Sequence, residues 1–442
     1  MNINEIYNSK LKTIPEALKI IKSSDFLVVG LGGSEPISLL NELHKIKDNG
    51  VRECELSNTL PLGNYEFMIN PDYKDTIHVN GWFYTPSMRK YHPRGHMSFQ
   101  PQHLHLALAK RLYAMKGRRK VLLTTCSSMD KHGYISLSIS NTYEMQLIES
   151  GEAVIIVEIN ENFPRTFGDN QIHVSKIDGI IESNRPIPSL PVQSFNEKDK
   201  KIGQYIADLI EDGSTIQLGI GGIPNAVAEA LKTKKHLGIH TEMFTDGMVD
   251  LIECGAVDNS MKTLYRGKSV CTFALGTQKL YEYLDDNPTV LFMKGEWTND
   301  PYVVGRNHKM VSINTTIEVD LTGQCCSESI GYKQFSGTGG QADTAIGAQK
   351  SLDGKSFIAL YSTANVKNDS GDKVRVSKIV PMLKQGAAIS LSRNDVDYVV
   401  TEYGVAWLRG QSIGERVKRL VDIAHPDFRE ELRVKAKKLM LW

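Results

Sequence analysis

The 442-residue chain has almost no net charge: 52 Lys and Arg stand against 51 Asp and Glu, leaving +1 at pH 7. No global field therefore draws it to nucleic acid or to a membrane surface, and an anionic ligand has to be held by local charge and backbone N–H groups. No run reaches the roughly 18–20 apolar residues of a membrane span, and Met1-Asn2-Ile3-Asn4-Glu5 is no apolar signal core. Cysteine is scarce. The six residues are scattered apart from adjacent Cys325 and Cys326, which is no disulfide framework and fits a reducing, cytoplasmic setting. His92, His96, His103 and His105 lie close together but match no zinc spacing, and Pro93 keeps His92 and His96 off a common helix turn, so no metal is expected. Cys126 with Asp130 and His132 lacks the third group that a thiol hydrolase needs.

What the chain does have is a repeat. Val29-Gly30-Leu31-Gly32-Gly33 returns as Leu218-Gly219-Ile220-Gly221-Gly222, with a constant offset of 189 residues at the glycines. Asp130-x-x-Gly133 returns as Asp320-x-x-Gly323, 190 residues on. Each glycine turn follows a short apolar strand pattern and precedes a helical one. The pattern predicts two homologous α/β halves, with the active site in the cleft between them.

The local patterns agree with this class. Helices are predicted over 15–22, 37–43 and 226–231. Ile202, Tyr205, Ile206, Leu209 and Ile210 form one helical stripe. Strands are predicted over 26–29, 121–125, 153–159, 215–218, 270–275, 290–293, 357–360 and 398–401, short and apolar on both faces as in a covered parallel sheet. Pro186, Pro188 and Pro191 mark a linker over 184–191. These features divide the chain into an N-terminal domain, 1–190, and a C-terminal domain, 191–442. The polar stretch 367–373 reads as a loop.

Three segments could carry chemistry. Glycine after a strand lets backbone approach a ligand, and the following helix start attracts negative charge. Neither copy completes G-x-G-x-x-G: Glu35 and Pro224-Asn225 stand near the expected third glycine, which argues against a dinucleotide. In Ser336-Gly337-Thr338-Gly339-Gly340-Gln341-Ala342-Asp343 the small residues allow backbone to line a narrow channel, or simply to turn. In Gly238-Ile239-His240-Thr241-Glu242-Met243, Glu242 is either a strand-end carboxylate facing a cleft or a solvated surface charge. A carboxylate is a nucleophile at neutral pH without a base, its reference pKa being about 4.3. Trp82, Phe83, Tyr84 and Met88 could line an acyl pocket or be core.

With these residues assembled, the chain resembles the acetyl-CoA hydrolase/transferase family, and within it the butyryl-CoA:acetate and 4-hydroxybutyrate CoA-transferases. The matching blocks are Gln217–Val227, Gly238–Met243, Tyr283–Pro288, Ser336–Asp343, Gly354–Phe357, Thr401–Gly404 and Ile423–Phe428. The resemblance implies two CoA-transferase-like α/β domains, the C-terminal one carrying a catalytic Glu242. It implies that Gly219, Ile220, Gly221, Gly222 and Ile223, with Gly337, Gly339 and Gly340, bind coenzyme A and its thioester. Asn314 resembles an active-site asparagine, and Lys367 would be a phosphate partner. The implied reaction moves CoA from a short-chain acyl-CoA (butyryl-, 4-hydroxybutyryl- or propionyl-CoA) to acetate, or the reverse, in fatty acid metabolism. The alternative is an acyl-CoA hydrolase of the same family. Coenzyme A is then a substrate rather than a resident cofactor, the other partner is a short-chain carboxylate, and a homodimer or homotetramer is expected. Thr344 stands where relatives commonly carry Phe, and Gln102-His103 where they tend to carry a glutamate.

Overall fold

The computed structural model describes residues 2–367 and 370–441. The chain forms two compact units with interleaved segments. The first comprises Met1–Pro191, Glu242–Asp246 and Ser269–Thr298; the second comprises Val192–Thr241, Gly247–Lys268 and Asn299–Trp442. The sequence boundary at 190/191 assigns Glu242 to the C-terminal half, whereas in the structure Glu242–Asp246 packs with the first unit. The physical reason is apolar burial. Met243, Phe273 and Leu275 join the core cluster of Leu31, Trp82, Leu122 and Tyr143.

The first unit is built on a seven-stranded parallel sheet. Its order is Gly179–Ser183, Ala153–Asn160, Lys120–Cys126, Phe26–Val29, Cys54–Asn58, Ile77–Gly81, Met97–Phe99. Phe26–Val29 is buried throughout. Phe26 and Val28 enter one cluster and Leu27 and Val29 the other, because successive side chains of a strand point to opposite faces. Both faces are therefore covered, as a parallel sheet requires. Strand order runs one way from Phe26–Val29 and the other way from Lys120–Cys126, so the sheet reverses between these two strands.

The second unit repeats this plan. Its six-stranded sheet has the order Gly238–Ile239, Thr215–Leu218, Met310–Thr315, Lys355–Ala359, Tyr398–Thr401, Gly404–Trp407, with only the last strand antiparallel. The reversal falls between Thr215–Leu218 and Met310–Thr315. The helix Glu197–Asp208 starts in a capping box of Asn196 and Asp199 and buries Ile202 and Ile206. The second repeated motif is also one structure in two places. Asp130 Oδ1 accepts the N–H of His132 and Tyr134 at 2.9 and 2.8 Å; Asp320 Oδ1 accepts the N–H of Thr322 and Gln324 at 2.9 and 3.1 Å. The turn closes with Gly133 N–H on the Asp130 carbonyl and Gly323 N–H on that of Asp320.

Several sequence expectations shift. The strand predicted over 270–275 is two, Ser269–Cys271 and Phe273–Ala274. Cys54–Asn58, Ile77–Gly81, Gly179–Ser183 and Met310–Thr315 were not predicted, because Glu55, Ser57, His78, Asn80, Glu182 and Asn314 interrupt their apolar runs. The loop predicted from Lys367 to Lys373 is the end of an antiparallel hairpin, Thr363–Lys367 with Lys373–Ser377. The opposed β-branched pair Val366 and Val374 supports that pairing. Asn368 and Asp369 lie outside the described residues. Among the described residues no helix is long and apolar enough to cross a membrane.

Candidate active site

In open α/β sheets, ligands bind beyond the carboxyl ends of the strands where strand order reverses. Both glycine turns occupy that position, each in its own unit. The second follows Thr215–Leu218 and opens the helix Gly222–Leu231. Gly221 has φ +119°, a conformation that L side chains rarely adopt, so this residue has to be glycine. Gly219 is different: a Cβ there would meet nothing nearer than 3.8 Å. No side chain caps the helix start. Among the described residues no backbone acceptor outside regular elements takes the N–H of Gly219, Ile220, Gly221 or Gly222. Gly219, Gly221 and Gly222 are half-buried, and Ile220 is about half exposed.

Next to this turn stands a buried carboxylate. Asp199 accepts the Tyr361 hydroxyl at 2.6 Å and the Asn196 N–H at 2.8 Å, and its Oδ2 lies 2.9 Å from where a Gly222 Cβ would be. Burial, followed by the bond to Asp199, pushes the Tyr361 phenol up to about 12. Sequence reading missed Asp199 and Tyr361. The signal was the capping box Asn196-x-x-Asp199 one helix before the glycine turn.

Asn314 stands at the same end of the sheet, on the neighbouring strand. Its amide nitrogen donates to Ser312 Oγ at 2.9 Å and Thr344 Oγ1 at 3.2 Å, with Gln217 Oε1 at 3.5 Å. Thr344, the residue that departs from the family pattern, is therefore an acceptor for Asn314 and also for the Ser312 hydroxyl at 2.9 Å. Gly337 and Gly340 are buried and Gly339 is half-buried, with Gly340 the N-cap of the helix Gln341–Lys350. Gln341 ties this second glycine segment to the end of the Asn314 strand through the Thr315 carbonyl at 2.7 Å. Gly219 to Ile223, Asn314 and Gly337 to Gly340 are thus gathered at one sheet end of the second unit. Lys367 is not tied to them by any hydrogen bond or ion pair among the described residues. It is exposed and lies directly across the hairpin from Lys373.

Glu242 lies in the first unit, half-buried, immediately before the strand Met243–Phe244. That strand pairs in parallel with Phe273–Ala274. The Glu242 carbonyl accepts two N–H groups, from Thr272 at 3.0 Å and Phe273 at 3.1 Å. The backbone bearing the carboxylate is therefore held at its carbonyl by two adjacent donors.

Burial bears on two other readings. Trp82, Tyr84 and Met88 are core, with Trp82 edge-on to Tyr143 and the Tyr84 hydroxyl on His92 Nδ1 at 2.8 Å. Cys126 is fully buried and its thiol is pushed far up by that burial, while Asp130 is engaged by Arg165 at 2.8 Å. Among the described residues no group of three or more His, Cys, Asp or Glu side chains is arranged to hold a metal.

Comparison with known proteins places the chain. The acetyl-CoA hydrolase/transferase N-terminal domain matches residues 1–191 and the corresponding C-terminal domain matches 276–436. The succinyl-CoA:cyclohexane-1-carboxylate CoA transferase of Geobacter metallireducens is 44% identical, over 98% of this chain and 96% of its own. The 4-hydroxybutyrate coenzyme A transferase of Clostridium kluyveri is 43% identical, over 99% and 100%. The crystal structure of RipA from Yersinia pestis superposes with a TM-score of 0.91 at 37% identity, covering 100% of both chains. The chain belongs to the acetyl-CoA hydrolase/transferase family.

Proposed function

We propose that the protein is a CoA-transferase that exchanges CoA between a short-chain acyl-CoA and acetate through a thioester on Glu242. The observation that carries this reading is Glu242 itself: a half-buried carboxylate on a backbone pinned by two N–H groups, in a chain of this family. Glu242 attacks the acyl-CoA carbonyl, giving an acyl-glutamyl anhydride and CoA thiolate. The thiolate attacks the glutamyl carbonyl and releases the first carboxylate, leaving CoA on the enzyme. The acceptor acid reverses the sequence.

Each step passes through a tetrahedral oxyanion. The N–H groups of Gly219 to Gly222 and of the Gly337–Gly340 segment are the donors we assign to the thioester and its oxyanions. Losing one such donor typically costs about 2.7–4 kcal/mol of barrier. Asn314 joins them only by exchanging its bond to Thr344 for one to substrate. The Asp199 carboxylate beside Gly222 suits a turn that faces a carbonyl rather than a phosphate. Lys367 serves as a phosphate contact from the hairpin.

The test is capture of the intermediate. Incubation with butyryl-CoA and no acceptor, followed by borohydride, should convert the glutamyl thioester to an alcohol, with the mass change on the peptide holding Glu242. Glu242→Ala should lower exchange by on the order of 1,000-fold or more. A label on another residue would overturn the assignment. Thioester loss independent of acetate would make the protein a hydrolase.

A further inference from the structure

Glu144 is a fully buried carboxylate that the chemistry above does not use. Its Oε1 accepts the Leu31 N–H at 3.0 Å and the Ser140 hydroxyl at 2.6 Å, and its Oε2 accepts the Tyr143 N–H at 2.9 Å. Among the described residues no Lys, Arg or His forms an ion pair with it. A buried carboxylate without a cation is costly unless its oxygens are fully engaged, and here one carboxylate engages two separate parts of the first unit. One is the first glycine turn, through Leu31. The other is the segment Ile139–Asn141.

That segment carries the strand that holds Glu242. Ser140 forms an antiparallel bridge with Phe273. Asn141 N–H donates to the Thr272 carbonyl and Ala274 N–H to the Ile139 carbonyl, each at 2.8 Å. Thr272 and Phe273 in turn donate to the Glu242 carbonyl. All of these residues belong to the first unit. From the Glu144 carboxylate to the Glu242 backbone there are two hydrogen-bonded layers. Met243, Phe273 and Leu275 meet Leu31 in one apolar cluster, so the glycine turn, the Ile139–Asn141 segment and the Glu242 strand are packed as a block with Glu144 at its joint.

We infer that Glu144 is a positioning residue for the nucleophile: its carboxylate clamps the first glycine turn to the Ile139–Asn141 segment and so sets where the Glu242 backbone stands. This rests on Glu242 being the nucleophile. Both arms of the clamp, the Leu31 N–H and the Ser140 hydroxyl, fall on Oε1, while Oε2 takes the Tyr143 N–H. Glu144→Gln could keep an oxygen at the Oε1 place; Glu144→Leu is close in size and has no acceptor, and so releases both arms.

Two measurements on the full chain test this, each with Glu144→Leu and with Ser140→Ala. The first is hydrogen exchange of the resting protein, which needs no activity. Exchange should rise at peptides covering 139–142 and 272–275 in both variants, and at the peptide covering Leu31 in Glu144→Leu. The second is steady-state exchange with butyryl-CoA. A displacement of about 1 Å at the reacting group can cost on the order of 100-fold. We expect kcat to fall roughly 10- to 100-fold in Glu144→Leu and less in Ser140→Ala, with KM for butyryl-CoA within about 2-fold of wild type. A role confined to stability would instead lower Tm and leave the kcat of the folded protein unchanged. Unchanged exchange at 272–275 in Ser140→Ala, or a folded Glu144→Leu with wild-type kcat, overturns the inference. Raised exchange at 272–275 in a protein whose borohydride label maps away from Glu242 would retain the clamp and reject the nucleophile.

Discussion

The two glycine turns have the same spacing and the same place at a sheet reversal, yet they are spent differently. In the first, Gly30 N–H donates to the Leu123 carbonyl at 2.8 Å and Leu31 N–H to Glu144. Ser34 and Glu35 N–H close back on Leu31 and Gly32. Its first two donors, those of Gly30 and Leu31, are taken up inside the unit, and Gly32, Gly33 and Ser34 are buried. In the second, the corresponding N–H groups find no such acceptors among the described residues, the helix start is uncapped, and Ile220 is exposed. We propose on this contrast that the duplicated motif serves in one copy as a joint of the fold and in the other as a surface for a ligand. A carboxylate lies near each turn: Glu144 takes an N–H of the first, while Asp199 sits against the Cα of Gly222 without taking its donors.

The sharpest way to break this comparison is to add the same methyl group to both turns. At Gly30 a new Cβ would collide with Thr124 Oγ1 and lie 2.7 Å from the Ser34 carbonyl oxygen. Gly30→Ala should cost about 1–3 kcal/mol of stability, as overpacked cores do, read as a lower denaturant midpoint. At Gly219 there is room. Gly219→Ala should keep the midpoint and raise KM for acyl-CoA roughly 10-fold, since only the approach of the ligand is obstructed. Equal stability losses at both positions would mean that the second turn is structural too. Gly221→Val would be a poorer probe, because φ +119° makes any side chain there strained whatever the ligand does.

A smaller effect should follow from Asp199→Asn, which keeps the shape beside Gly222 and removes the charge. Inorganic phosphate should then become a better inhibitor, by several-fold, because the helix start no longer has an anion next to it. Unchanged phosphate inhibition would show that Asp199 does not set the ligand class of the turn.

The smallest effect concerns Glu35, which stands where a dinucleotide turn would have its third glycine. Burial lifts its carboxyl to about 7, against the lowering influence of Asn58 and the Leu62 N–H. Its folded value lies above its unfolded one, so the folded state binds the proton more tightly. The stability this contributes is fully present below about 4.5 and is lost as pH rises through about 7. The wild-type melting temperature should decline across that window by a few degrees relative to Glu35→Gln. Parallel pH profiles for the two proteins would remove Glu35 as the titrating group.

Much of this was legible in the residues. The 189-residue offset, the runs Phe26–Val29, Thr215–Leu218 and Tyr398–Thr401, and the proline linker all rest on local rules of burial, φ and hydrogen-bond donors, which act within a few residues. The Gly238–Met243 and Ser336–Asp343 blocks pointed to the family on sequence identity alone. The strand bearing Asn314 was not legible. Its alternation of Ser312 and Asn314 with apolar residues reads as polar until Gln217 and Thr344, from other elements, satisfy those side chains.

By itself, then, the sequence determined the fold class, the duplication and the family, because composition, periodicity and motif identity are properties of the chain taken in order. Only the tertiary structure decided which unit holds Glu242, which glycine turn has its first N–H groups taken up inside its own unit, and that Glu144 and Asp199 stand beside the two turns. Those outcomes depend on which apolar side chains find a common core and which buried donors find an acceptor. Leu31 meets Glu144 across 113 residues, and the Asp199 carboxylate meets the Tyr361 hydroxyl across 162.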